Sequence, residues 1–161
     1  MQSPGRSTSS PVTSPLVGRT SRLLILTALL LLLLRPAAAQ DVDRSTPRET
    51  FRSFLVNMIV YSSDTTEAAR SKAMRAAMRT LDLDDIPAAL RESQGADVAR
   101  DLKSFLDRYE LVDLDEIPAA YDGAVYVWRK PAANTEVALT RDEDSLWVFT
   151  RRTVASLPVL L

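Results

Sequence analysis

Residues 124–150 read AVYVWRKPAANTEVALTRDEDSLWVFT, and the hydrophobic period changes here. The run 124–130 is rich in β-branched and aromatic residues. The run 135–141 sets Val137 and Leu139 against Glu136, Ala138 and Thr140, and the run 145–150 is a third strand candidate. Residues 131–134 and 142–144 punctuate them, which predicts an antiparallel meander of three strands. Residues 151–161, RRTVASLPVLL, predict a final short helix capped by Thr150 and stopping near Pro158.

Upstream the period is helical. Thr46-Pro47-Arg48-Glu49 combines a capping residue, a proline at the first helical position and an acid three residues after the cap. Phe51, Phe54, Leu55, Met58 and Ile59 follow at helical spacing, and Ser62, Ser63 and Asp64 are expected to break that helix. Any of those three, or Thr65, suits the cap of the next helix, in residues 65–80. There Ala69, Ala73, Met74, Ala76, Ala77 and Met78 form a small-residue face, and Arg70, Lys72, Arg75 and Arg79 a wet one. A third helix is expected over residues 94–109, with Val98, Leu102, Phe105 and Leu106 as its apolar stripe. Three to four helices, then the three-stranded antiparallel meander and a short C-terminal helix, define an α+β fold.

Two acidic stretches flank the third helix. LDLDDIPAAL (81–90) and VDLDEIPAAY (112–121) share seven of ten residues. A calcium loop needs a glycine at its sixth position, and neither copy has one. The flanks diverge, RESQGADVARDL against DGAVYVWRK, which argues against a repeat unit. An acid ahead of a proline favours the positive end of a helix. Both copies therefore read as helix starts, with Leu81, Leu83, Leu111 and Leu114 as core anchors.

Composition narrows the chemistry. The chain of 161 residues has no cysteine and no histidine, which removes disulfides, thiolate nucleophiles, zinc–thiolate sites and the commonest general base. The four glycines, Gly5, Gly18, Gly95 and Gly123, do not make a phosphate-cradling loop. No catalytic residue, metal site or cofactor is expected. Residues 1–39 hold four arginines and no acid, so residues 40–161 hold 16 basic and 21 acidic residues, a net of −5. Such a module argues against nucleic acid as partner.

The first forty residues stand apart. A Ser/Thr/Pro-rich start with arginines precedes LLILTALLLLLL (23–34). Twelve apolar residues cover roughly 18 Å as a helix, short of a bilayer core of about 30 Å. With Ala37 and Ala39 at −3 and −1, residues 1–39 read as a signal peptide with a disordered basic n-region, or alternatively as an uncleaved anchor. Residues 40–161 are then an extracytoplasmic α+β domain.

Joined together, these segments resemble the extracytoplasmic N-terminal region of bacterial small-conductance mechanosensitive (MscS-type) channel proteins. The resemblance rests on Thr46-Pro47-Arg48-Glu49-Thr50 with Phe54-Leu55, and on Leu81-Asp82-Leu83. It continues through the helix carrying Gly95, Val98, Ala99, Leu102, Lys103, Leu106, Asp107 and Arg108, then Val112 to Asp115, and finally residues 146–158, LWVFTRRTVASLP. It covers residues 44–159. It implies a non-enzymatic periplasmic module with an assembly, sensing or partner-contact role, attached to the inner membrane. The partner it implies is a membrane-embedded channel part of the same or a neighbouring polypeptide, with homo-oligomeric assembly of the channel. The family's membrane helices and pore have no counterpart in these 161 residues, so no pore residue carries over. The alternative is a free-standing periplasmic ligand- or partner-binding module. If helices and sheet enclose an apolar pocket, Tyr126, Trp128 and Trp147 are its natural liners, though aromatics in strands are more often part of a core.

Overall fold

A computed structural model describes residues 42–133 and 135–161. The signal-peptide reading of residues 1–39 lies outside the described residues. Among the described residues four helices and three strands follow in the order α1 (Pro47–Ser63), α2 (Glu67–Met78), α3 (Arg91–Tyr109), β1 (Val125–Ala132), β2 (Thr135–Arg141), β3 (Trp147–Phe149) and α4 (Arg151–Leu160). The architecture is α+β, helices first, then an antiparallel meander, then a short closing helix.

Helix ends follow local chemistry. Thr46 Oγ1 accepts from Glu49 N at 3.1 Å, and Pro47 takes the first helical position. Half of the expected capping box forms, because the Glu49 carboxylate pairs with Arg52. α1 runs through Ser62 and Ser63 rather than breaking there. Both hydroxyls donate back to the Ile59 carbonyl, at 2.9 and 2.8 Å, which keeps the last turn wound. Asp64 then closes α1, and its Oδ1 accepts from Thr66 N and Thr66 Oγ1, both at 2.8 Å.

α4 begins as expected, with Thr150 Oγ1 accepting from Thr153 N at 3.1 Å. It does not stop at Pro158 but continues to Leu160. Buried Leu157 and partly buried Leu160 hold that last turn to the core, which offsets the carbonyl that Pro158 leaves without an amide donor.

The sheet order is β1-β2-β3. Val125, Tyr126 and Val127 face Thr140, Leu139 and Ala138 in regular register, and the pairing then slips around Arg129 and Ala132. β1 extends through Pro131, which sequence reading gave to a loop. Proline is tolerated there because β1 is an edge strand. β3 has three residues and its ladder is extended by borrowed groups. Thr150 N donates to Ala138 O at 2.9 Å, and Ala138 N donates to Thr153 Oγ1 at 3.0 Å. On its other side Leu81 forms a parallel bridge to Phe149.

The core lies between α1 and the sheet. Phe51 and Phe54 meet the Phe149 ring edge-on, with centroids 4.8 and 5.5 Å away, and Phe51 also meets Trp128 at 5.5 Å. Leu102, Phe105 and Leu106 of α3 and Leu157 of α4 complete it. Burying such side chains stabilises by roughly 1.5–3 kcal/mol each before chain entropy is set against it. No helix among the described residues is long and apolar enough to cross a membrane.

Candidate functional site

The two acidic stretches are the same small structure built twice. In the first, Asp82 Oδ1 accepts from Asp84 N at 3.3 Å, and Ile86 N donates to Leu83 O at 3.0 Å. In the second, Asp113 Oδ1 accepts from Asp115 N at 2.8 Å, and Ile117 N donates to Leu114 O at 3.3 Å. Each is an Asx turn whose aspartate stands in for a backbone acceptor two residues on. Leu81 and Leu83 of the first turn are buried, and Ile117 of the second is fully buried. Leu114 and Val112 pack on the core, but Leu111 is 93% exposed and anchors nothing.

The helix-start reading holds in part for the first copy and fails for the second. After Pro87 the chain winds through two turns, with Leu90 N donating to Pro87 O at 2.8 Å and Arg91 N to Ala88 O at 3.3 Å. This winding starts α3 at Arg91 rather than 94. After Pro118 no helix follows. The chain runs on into β1, because Arg48 N donates to Pro118 O at 3.4 Å and draws the segment onto the start of α1.

Each turn is gripped by arginines from elsewhere in the chain. Arg151, at the first position of α4, reaches Asp82 with Nε at 3.0 Å to both oxygens, Asp84 at 3.2 Å and Asp85 at 3.3 Å. The hydrogen bonds to Asp82 and the three nearby carboxylates hold the Arg151 guanidinium more firmly protonated than usual. Arg129 on β1 takes both oxygens of Glu110, at 2.7 and 3.0 Å, and Glu116 at 3.2 Å. That fork pulls Glu110 below the usual carboxylate range, and Arg129 itself is shifted up by the same pair. Arg48 grips the second turn through its backbone, donating to Ile117 O at 2.7 Å and Asp115 O at 3.3 Å. Glu116 occupies in the second turn the place of Asp85 in the first, and each is met by a different arginine, Arg129 and Arg151 respectively.

The first turn borders a polar hollow of about 350 Å³ shared with the β2–β3 turn. There Arg44 pairs with Asp142 at 2.7 Å, and Asp142 Oδ1 accepts from Asp144 N and Leu146 N at 3.0 and 2.9 Å. The Arg141 guanidinium lies 4.7 Å over the Trp147 ring. Among the described residues no group of three or more acids is arranged to hold a metal ion. The acids serve as turn formers and arginine partners.

The aromatic residues occupy the core or its border. Trp147 and Trp128 are buried, and half-buried Tyr126 packs beside Tyr121 with ring centroids 5.4 Å apart. The polar hollow is lined by other residues, and so is an apolar one of about 410 Å³ between α1 and the end of α3. Leu55, Ile59, Leu106, Leu111 and Val112 form the apolar wall of the latter, with Lys103 and Asp107 paired at 2.5 Å on its rim.

Sequence reasoning missed Arg48, Arg129 and Arg151. Their partners lie as far as 69 residues away, and no local pattern marks a long-range clamp. The chain matches no protein-family model, no curated protein and no solved structure.

Proposed function

We propose that residues 42–161 are a non-enzymatic extracytoplasmic module of an MscS-type channel protein, with a contact role towards the membrane-embedded channel part. The resemblance over residues 44–159 motivates the family, and the interval from α1 to α4, Pro47–Leu160, coincides with it. The observation that supports a contact role is the apolar hollow beside α3. Leu111 is 93% and Ile59 54% exposed there, an apolar surface that a folded chain does not need for its own core. The pairing of the acidic turns with Arg151 and Arg129 further supports a scaffolding role for their carboxylates over a catalytic one. The channel link is tested by reading the coding DNA past codon 161. Hydrophobic spans in frame, or after one frameshift, are expected, and their absence removes the channel from this product.

The second reading is a free-standing periplasmic binder. The hollow's volume of about 410 Å³ falls within the range of small-ligand sites and favours it. Thermal shift against a metabolite library tests this reading, and uniform absence of stabilisation counts against it.

A further inference from the structure

We infer that α2 carries a docking surface for anionic phospholipid headgroups, formed by Lys72, Arg75 and Arg79. Spacings of three and four residues put these side chains within about 60° of one another around the helix. All three are exposed, and they border a shallow hollow of about 420 Å³ floored by Ala76 and Met78. The buried residues of α2, Ala73, Met74, Ala76 and Ala77, hold its other face against the core.

Charge identifies the occupant. None of the three cations forms an ion pair among the described residues, whereas Arg44, Arg52, Arg91, Arg100, Arg129 and Arg151 all do. The one side-chain hydrogen bond these cations make among the described residues, from Arg75 Nη1 to Ser71 Oγ at 2.5 Å, leaves the positive charge unneutralised. The single acid of α2, Glu67, lies in its first turn. Arg48, Arg70, Arg108, Lys130 and Arg141 also form no ion pair among the described residues, but Lys72, Arg75 and Arg79 gather on one helix face of a module of net charge −5. That net charge disfavours nucleic acid, which would meet acids on most approaches. The hollow between these side chains is shallow and open, and an array of headgroup phosphates meets three cations in a row at once. The surface rests on the proposed membrane attachment for its proximity to lipid.

Each cation near an anionic leaflet is worth about fivefold in binding, so the stripe is worth on the order of 100-fold at low salt. The test is flotation of the full chain with vesicles of about one third phosphatidylglycerol in phosphatidylcholine, against phosphatidylcholine alone. Residues 1–39 carry four arginines and also favour the anionic vesicles, so the readout is the part of the preference lost on substitution in α2. Wild type is expected to prefer the anionic vesicles and to lose that preference in about 0.5 M NaCl. The K72Q/R75Q/R79Q variant, with unchanged far-ultraviolet circular dichroism, is expected to keep only the share that residues 1–39 supply, a loss on the order of 100-fold in the preference. Equal binding of wild type to both vesicles overturns the inference, as does a preference undiminished by the triple substitution. Retention on immobilised polyglutamate without a preference for anionic vesicles also overturns it, in favour of an acidic protein partner. These outcomes do not depend on what codes beyond residue 161, so failure of the channel reading and failure of this one are distinguishable.

Discussion

Ser145 closes the turn between β2 and β3 with φ at 62°, in the left-handed region that glycine adopts freely. Its side chain is exposed, while its amide donates to Asp142 O at 3.0 Å and its carbonyl accepts from Arg141. Ser145→Gly keeps both bonds and removes the strain, so it is expected to raise stability by about 1 kcal/mol in urea unfolding. Asn57 is the opposite case. It is fully buried, its Nδ2 donates to Ser53 O at 2.8 Å, and its Oδ1 has no partner. Asn57→Asp puts a carboxylate there. A loss of roughly 3 kcal/mol or more is expected at pH 7. Burial raises the carboxyl pKa in the folded state, so its protonated form restores stability at low pH. The gap to wild type should therefore narrow as pH falls towards 4. The caps Thr46 and Thr150 were legible in the sequence because a cap and its amide lie three residues apart. The arginine clamps were not, because nothing local distinguishes Arg151 from its neighbour Arg152.

Among the elements, the two Asx turns depend on different supports. Arg151 and Arg129 act through exposed ion pairs, which solvent and salt screen. Arg48 acts through carbonyls of the second turn, at the base of α1. Arg48→Met is expected to cost about 1–2 kcal/mol and to lower hydrogen-exchange protection at residues 113–118 while leaving 82–86 unchanged. Close approach matters at Gly95 in α3, where a Cβ would lie 2.7 Å from Met78 Cε and 2.8 Å from Leu83 Cδ1. Gly95→Val is expected to cost about 1–3 kcal/mol by displacing the first turn from α3, read as a lowered unfolding midpoint. Helices and strands were readable from period alone. Their ends moved where side chains intervened, as with Ser62 and Ser63 extending α1 and Leu157 carrying α4 past Pro158. The fate of the second turn was not readable, since its own ten residues nearly match those of the first.

For the whole molecule, the acid limb of stability follows from carboxylates held below their ordinary values. Glu110 is lowered by the Arg129 fork, and Asp43 by hydrogen bonds from Ser45. A lowered folded-state pKa gives stability that is complete above the unfolded value and lost as pH falls through the folded one. Thermal midpoints are therefore expected to be flat from about pH 8 to 5.5, where the chain has no histidine or cysteine to titrate, and to decline below the ordinary glutamate value of 4.5. A decline already under way at pH 6 would contradict this assignment.

The seam between the two ends of this domain also sets a clock. Trp147 N donates to Arg44 O at 2.8 Å, Thr50 Oγ1 reaches Trp147 O across 97 positions, and Phe149 lies against Phe51 and Phe54. A nascent chain cannot cover its first helix until its last strand has left the ribosome. At 5–20 residues per second, roughly 100 residues take about 5–20 s. Through that interval α1 has no lid, and the face that Phe51 and Phe54 present stays open to solvent.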